Sequence, residues 1–327
     1  MKKILVLLPK NTLTGQPSNE RVATFSEWFV KKGMSLIETE QPSCLREKWR
    51  LIKLLKREKI ENVFISMPDF RNWWLFLLKD INIILDIRDG WSIAMRSGYG
   101  GNSKPKKVKA WIASRVEKFA MNKAALTITC TPGLQEYLQN LTRKDVLLIL
   151  NGCSEKDKQI VGKIKSEMVF EKCIDEVVAI CVGQFSEYGR TKAEAVIRKL
   201  SKIHISQNLV LRLVGSDFEA NRWIDPYLDS KNISNVRCEI LERMDRKEMY
   251  KQILMSDIGV VIIRDPDYDF GTKVFDYLLC EKMVFNYFDH ANRFSDHFFT
   301  NNKELNYDLT REGLVERNAS HILAAIT

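Results

Sequence analysis

The chain has 327 residues, enough for two domains of ordinary size, each with its own core. Its 45% apolar and 28% charged residues exclude a disordered or collagen-like chain, and no apolar run reaches the roughly 18 residues a membrane-spanning helix needs. Residues 1–150 hold 26 Lys and Arg against 14 Asp and Glu, a net +12. With +9 for the whole chain, residues 151–327 carry −3, so the first half is expected to face something anionic.

Met1-Lys2-Lys3 followed by Ile4 to Leu8 has the charge and apolar core of a signal sequence, but the apolar run before Pro9 is too short for one. It reads as a buried first strand, and the chain as cytoplasmic. A loop with Thr14, Gly15, Pro17 and Ser18 follows, then a helix from Glu20 to Lys32 closed by Gly33. Leu36 to Glu38 is a short strand and Cys44 to Lys59 a basic amphipathic helix. Val63 to Ser66 and Ile81 to Ile87 are strands, with a Trp-rich helix, Asn72 to Lys79, between them. Lys109 to Asn122 and Gly133 to Leu141 are helices around a strand from Leu126 to Cys130, and Val146 to Leu150 completes the set.

The second half repeats the alternation. Strands are expected at Val177 to Val182, Leu209 to Val214, Val236 to Leu241, Ile258 to Ile263 and Met283 to Phe288. Helices are expected at Lys192 to Ile203, in a weak stretch from Tyr227, at Arg246 to Met255, and after Gly271. Strands alternating with helices predict parallel sheets covered on both faces. Two doubly wound Rossmann-like α/β domains facing a cleft follow, residues 1–160 and 161–327, with the joint in the polar stretch Ser154 to Lys172 and the final helix free to pack back on the first domain.

The seven cysteines (44, 130, 153, 173, 181, 238, 280) are scattered, with no C-x-x-C pair, and are expected to be free and mostly buried.

The most informative segment is Gly271 to Phe285. A glycine opening a helix leaves backbone N–H groups that hold a phosphate, and Lys273, with Thr272 beside it, adds charge. One turn on, Asp276 offers a carboxylate to ribose hydroxyls. The combination predicts a nucleotide site. Asp265-Pro266-Asp267 and Asp267-Tyr268-Asp269, just upstream, also read as a D-x-D cation motif.

Gly271, Lys273, Phe275, Asp276, Tyr277, Lys282 and Val284 stand in the register of the nucleotide-sugar segment of GT-B glycosyltransferases, and the chain resembles their family 4 branch. Glu281 and Met283 replace the usual glycine and proline, and the family's first acidic position falls on Tyr268, with Asp269 one residue on. Leu148 to Cys153 is similar to the family's I-P-N-G-V-D. Cys181 to Lys192 is similar to its V-G-R-L-x-x-x-K-G loop, with Gln184 in place of arginine. Leu211 to Asp217 is similar to its L-x-I-V-G-x-G, and Asp86 to Trp91 to a D-x-R-D-L-W. All four histidines lie in the second half, where the family has one in the first.

The resemblance implies a GT-B fold and transfer of a hexosyl group from a nucleotide-diphosphate sugar, UDP- or GDP-linked, to a glycan or lipid-linked glycan in bacterial surface polysaccharide assembly. It implies retention rather than inversion and no metal or other cofactor. It assigns the diphosphate to Gly183, Gly271, Thr272 and Lys273 with Arg190 and Lys192 as cations on the leaving group, the ribose to Asp276 with Asp269 nearby, and the base to Met244. Asp89 is assigned as base or positioner for the acceptor hydroxyl, with Thr14 and Gly15 on the acceptor side. A non-catalytic GT-B-like binding subunit and a nucleotide-sugar epimerase are the alternatives.

The elements Arg46 to Lys59 and Lys104 to Lys118 set Trp49, Leu51, Ile52, Leu54, Leu55, Val108, Trp111 and Ile112 among basic residues. That pattern suits an anionic membrane surface at the inner face of the cell membrane, or a helix packing on a sheet. No nucleic-acid motif is present.

Overall fold

The structure, a computed structural model, describes residues 2–9, 17–66, 70–97, 107–142, 144–169, 175–203, 207–300 and 309–326. The chain divides into two compact units, one made of Met1–Gly152 with Thr310–Thr327, the other of Cys153–Leu309.

The first unit contains β1 (Lys3–Leu8), α1 (Pro17–Lys31), β2 (Ser35–Glu40), α2 (Leu45–Glu58), β3 (Asn62–Ser66), a 3-10 helix (Phe70–Leu77), β4 (Asn82–Ile87), α3 (Trp91–Ser97), α4 (Lys107–Lys123), β5 (Leu126–Thr129), α5 (Pro132–Thr142) and β6 (Leu147–Leu148). Its six strands are parallel in the order β2-β1-β3-β4-β5-β6. Strand residues alternate between faces. Leu5 and Leu7 pack with Leu51 and Leu55 of α2, Phe76 of the 3-10 helix, Met121 of α4 and Leu138 of α5. Ile4 and Val6 pack on the opposite face with Phe25 and Phe29 of α1 and with Leu314, Val315 and Ile322. Those last three belong to two short helices that follow the second unit. Arg311 Nη2 donates to Glu20 Oε2 at 2.8 Å and Trp28 Nε1 to Glu316 Oε2 at 2.7 Å, fixing this segment on α1.

Between β3 and β4 stands a 3-10 helix of eight residues, where the pattern predicts an α-helix.

The second unit contains α6 (Glu155–Glu167), β7 (Glu176–Val182), α7 (Arg190–Leu200), β8 (Asn208–Val214), α8 (Phe218–Asn221), α9 (Ile224–Ser230), β9 (Val236–Leu241), α10 (Arg246–Leu254), β10 (Ile258–Gly259), α11 (Lys273–Leu279), β11 (Met283–Val284) and α12 (Arg293–Ser295), and the closing helices of the first unit are α13 (Arg311–Arg317) and α14 (Ala319–Ala324). The second sheet is parallel throughout, in the order β11-β10-β7-β8-β9.

Two readings change. The polar stretch after Ser154, expected to be a joint, is largely α6. A reciprocal cap starts that helix: Asp157 N–H donates to Ser154 Oγ at 3.0 Å and Ser154 N–H to Asp157 Oδ2 at 3.0 Å. The division between units falls at Gly152, before α6. The strand expected over Ile258 to Ile263 pairs only through Gly259. Val260 still donates its N–H to the Ile180 carbonyl at 2.7 Å, and Val261 to Ile263 continue as buried chain outside the strand. Six described cysteines are free thiols, four of them buried; Cys173 lies outside the described residues. Burial pushes the Cys130, Cys181, Cys238 and Cys280 thiols up to about 12, which keeps them protonated and inert. No helix among the described residues is long and apolar enough to cross a membrane.

Candidate functional site

In unit order the second sheet reads 3-2-1-4-5, so its strand order reverses between β7 and β10. In open parallel sheets that reversal leaves a crevice at the carboxyl ends of the strands. The sequence places its glycine loops there.

Tyr277 of α11 ties the two sides of the crevice. Its hydroxyl accepts from Val182 N–H at 2.9 Å and donates to the Val260 carbonyl at 3.1 Å. Burial raises its pKa well above the ordinary tyrosine value, so the proton that makes the second bond stays in place. The next residue after Val182 is Gly183, at φ +96°, a left-handed conformation that side chains disfavour. Its N–H donates to the Val214 carbonyl at 2.8 Å and its carbonyl accepts from Ser216 Oγ, which locks the loop after β7 to the loop after β8.

Lys192, in the first turn of α7, reaches the segment after β10. Its Nζ donates to the Ile263 carbonyl at 2.9 Å and to the Arg264 carbonyl. Burial lowers its pKa, while Asp265 and Asp269 act in the opposite direction. Lys192 and Asp269 are therefore brought together. Gly271, at φ +65°, lies against Val261, where an added β-carbon would sit 3.0 Å from Cγ1. Both features converge on the segment after β10.

Arg190 turns elsewhere. Its Nε donates to Glu194 Oε1 at 3.0 Å and its guanidinium stacks 4.5 Å from the Trp223 ring centroid. The neighbouring Arg264, not singled out from sequence, stacks on Tyr188 at 4.6 Å.

The helix start expected to present open N–H groups is partly engaged. Gly271 N–H donates to Asp269 Oδ1 at 2.9 Å, and α11 begins only at Lys273, after Thr272, whose side chain makes no cap. Asp276 is buried at 7% exposure. Its Oδ1 accepts from the Tyr250 hydroxyl of α10 at 2.8 Å and its Oδ2 from Lys273 Nζ at 2.9 Å. Burial, then Asp276, raise the Tyr250 pKa, so the phenol remains a donor. Each carboxylate oxygen keeps further acceptor capacity.

The acidic run upstream folds on itself. Asp265 Oδ1 accepts from Asp267 N–H at 3.2 Å, Asp267 Oδ1 from Arg293 N–H at 3.1 Å, and Asp269 Oδ1 from Gly271 N–H. Burial raises the Asp265 pKa. The three carboxylates serve different backbone amides, and among the described residues no cluster of three or more His, Cys, Asp or Glu side chains is arranged to hold a metal ion.

Over the ends of β7, β8 and β9 lies a cavity of about 740 Å³, lined by Gln184, Glu187, Gly215, Phe218, Leu241 and Arg243 among others. Met244 follows this rim and is half-buried, outside the lining. Phe218 is 63% exposed at the mouth, and no sequence signal distinguished it from a core residue. Glu187, also unremarked in the sequence, accepts from Phe185 N–H at 2.8 Å and from Asp217 N–H at 3.1 Å.

In the first unit Asp89 is exposed beyond β4, while Asp86, three residues earlier, is fully buried. Arg21 Nη2 donates to Asp86 Oδ1 at 2.9 Å and Ser66 Oγ to Asp86 Oδ2 at 2.6 Å. Asp86 is therefore a structural partner. Thr14 and Gly15 lie outside the described residues.

Two parallel doubly wound units, each with its loops at the carboxyl edge, define a GT-B fold. No known family's sequence profile matches the chain, and no curated protein matches it by sequence. Solved structures do match in fold. A sucrose-phosphate synthase from Thermosynechococcus elongatus superposes with a TM-score of 0.58 at 11% identity, over 100% of this chain and 95% of the other. A glycosyltransferase from Rickettsia africae ESF-5 does so with a TM-score of 0.54 at 10% identity, over 100% and 94%. The N-terminal domain of a Candida albicans trehalose-6-phosphate phosphatase gives 0.51 at 9% identity, over 99% and 93%.

Proposed function

We propose that the protein is a glycosyltransferase that takes a sugar from a nucleotide-diphosphate donor, UDP- or GDP-linked, held on the second unit. The observation that carries this reading is the crevice between β7 and β10, where the Gly183 loop, Lys192 and the Gly271 segment are gathered by Lys192 and Tyr277. A half-buried ammonium beside glycine loops suits a diphosphate, because a cation held in a partly desolvated site stabilises developing negative charge without reorganising. Lys192, with Arg190 swung from Trp223, would hold the leaving diphosphate, and Gly183, Thr272 and Lys273 would contact it. Asp276 would accept from the ribose. Asp269 would lie near the ribose, and the base would enter the cavity between Phe218 and Arg243, with Met244 beside its rim.

Asp89 on the first unit would receive the acceptor hydroxyl. A glycan or lipid-linked glycan of a bacterial surface polysaccharide is the acceptor class we propose, with retention at the anomeric carbon, no metal, and a cytoplasmic location at the inner membrane face. The fold neighbours, one a glycosyltransferase and one a sucrose-phosphate synthase by name, support the general class.

One observation favours a second reading, a nucleotide-free binding subunit. Glu187 and Asp269 occupy backbone N–H groups that a diphosphate would otherwise use. Titration calorimetry with UDP, GDP, CMP and ADP, with and without EDTA, separates the two. Binding of one diphosphate nucleotide, indifferent to EDTA and weakened by Lys192→Gln and Asp276→Asn, supports transfer. Binding of none favours the second reading, and EDTA-sensitive binding overturns the metal-free proposal.

A further inference from the structure

The structure assigns the first unit an exposed platform, built from α2, the 3-10 helix and α4, that docks on an anionic lipid bilayer. The inference deepens the proposed lipid-linked acceptor, yet its geometry is independent of the nucleotide site.

All three elements pack on one face of the first sheet, through Leu51, Leu55, Leu75, Phe76, Ala120 and Met121. They are also neighbours. The Trp74 ring takes Lys48 Nζ at 5.6 Å from α2, and the Trp73 ring meets Phe119 of α4 edge-on at 6.5 Å. Phe119 ends a stripe of α4, Val108, Ile112, Arg115 and Phe119, whose spacing of four, three and four residues keeps it on one side of the helix. The outer surface of this layer is unusually apolar. Trp49 is 64% exposed, Trp73 42%, Trp111 60% and Val108 73%. No other tryptophan among the described residues is exposed.

These side chains share a position along the sheet. Helix α2 and the 3-10 helix follow β2 and β3 directly and so start at the carboxyl edge of the sheet, while α4 ends at Lys123 just before β5 and so runs from the carboxyl edge toward the amino edge. Leu45 and Trp49 lie in the first turns of α2, Trp73 in the first turn of the 3-10 helix, and Val108, Trp111 and Ile112 in the first turns of α4. The apolar residues therefore gather at the edge that carries Asp89.

The charge around them selects the occupant. Helices α2 and α4 together carry eleven Lys and Arg against Glu47, Glu58 and Glu117. Of those acids Glu117 is buried under Ser92. Tryptophans amid lysines and arginines match the interface of an anionic bilayer, where indole rings sit at headgroup depth and basic side chains meet lipid phosphates. A protein partner would leave so many basic groups to be desolvated.

Flotation of the full chain with phosphatidylcholine vesicles, with and without phosphatidylglycerol, tests this. The chain is expected to float only with the anionic vesicles, less so at high salt. Trp49→Ser with Trp111→Ser is expected to weaken binding at least tenfold, and Lys53→Glu, Lys107→Glu and Lys109→Glu about fivefold per charge. All five positions are exposed, so melting temperature and nucleotide titration without vesicles should match the parent. No flotation with phosphatidylglycerol, or flotation unchanged in both variants, overturns the proposal. Light scattering that finds a dimer dissociated by the tryptophan substitutions would assign the face to a second copy instead. Tighter binding of single-stranded RNA than of vesicles at equal salt would assign it to nucleic acid. Loss of nucleotide binding with flotation intact would count against the transferase reading alone.

Discussion

The ring of Tyr277 lies so close to Gly259 that a β-carbon on the glycine would overlap it. The tyrosine cannot retreat, because its hydroxyl is bonded to Val182 and Val260 on either side. Gly259→Ala is therefore expected to destabilise the second unit by about 1–3 kcal/mol, the usual result of overpacking. Urea unfolding should show a lowered midpoint, and the double variant with Tyr277→Phe should lose less than the sum of the two.

Tyr250 donates to a carboxylate that is itself almost wholly buried. Tyr250→Phe leaves that acceptor short of a partner and is expected to cost about 1–3 kcal/mol. If Asp276 holds a ribose, nucleotide affinity should fall as well, because the carboxylate loses one of its two fixed orienting bonds. Paired urea melts and nucleotide titrations separate the two effects.

In the first unit Arg21 and Asp86 have side chains only 2% and 0% exposed. Removing one partner strands a buried charge, so Asp86→Ala is expected to cost about 3–5 kcal/mol. Asp89→Asn, at an exposed position three residues on, should cost less stability than Asp86→Ala and should lower transfer. Chemical denaturation and sugar-transfer assays on both variants check the contrast.

Burial raises the pKa of Glu117, against hydrogen bonds from Ser92 and Trp91 that favour the charged form. The native state then binds a proton more tightly than the unfolded state. This stabilising contribution is full below the ordinary glutamate value, near 4.5, and is lost as pH rises through the higher native value. Glu117→Gln should remove that decline. A stability profile against pH that keeps the same slope in the variant would refute the assignment.

Much of this was legible in the sequence because the evidence for a strand is local. Val177 to Val182, Leu209 to Val214 and Val236 to Leu241 are apolar runs bounded by turn residues, and each appears as a paired strand. The Ile258 to Ile263 run is just as apolar, but Lys192 and the Tyr277 and Tyr287 hydroxyls take its backbone groups from Val260 onward. That competition is tertiary and leaves no periodic signature. The cap at Ser154 and Asp157 was readable as S-x-x-D, yet high polarity made the segment read as a joint. At the site, glycine and lysine positions followed from the chain, while the internal partners of Asp276, Gly271 and Arg190 did not. Tyr250 of α10, on Asp276, and Trp223, on Arg190, are distant in sequence and no local pattern specifies them, while Asp269 on Gly271, Lys273 on Asp276 and Glu194 on Arg190 are near neighbours whose choice of partner only the folded backbone fixes. The basic helices were ambiguous for the same reason: Leu51 and Leu55 turn inward, whereas Trp49 and Trp111 turn outward.

The return of α13 and α14 to the first unit sets an order of events during synthesis. Leu314, Val315 and Ile322 cover the sheet face that carries Ile4 and Val6, and the ribosome makes them only after the whole second unit. Until then that face has α1 as its cover from within the first unit, and the nascent chain exposes apolar surface that invites chaperones or aggregation. A fragment cut at Gly152 would inherit the defect permanently. The first unit is therefore completed last, although its sequence begins first.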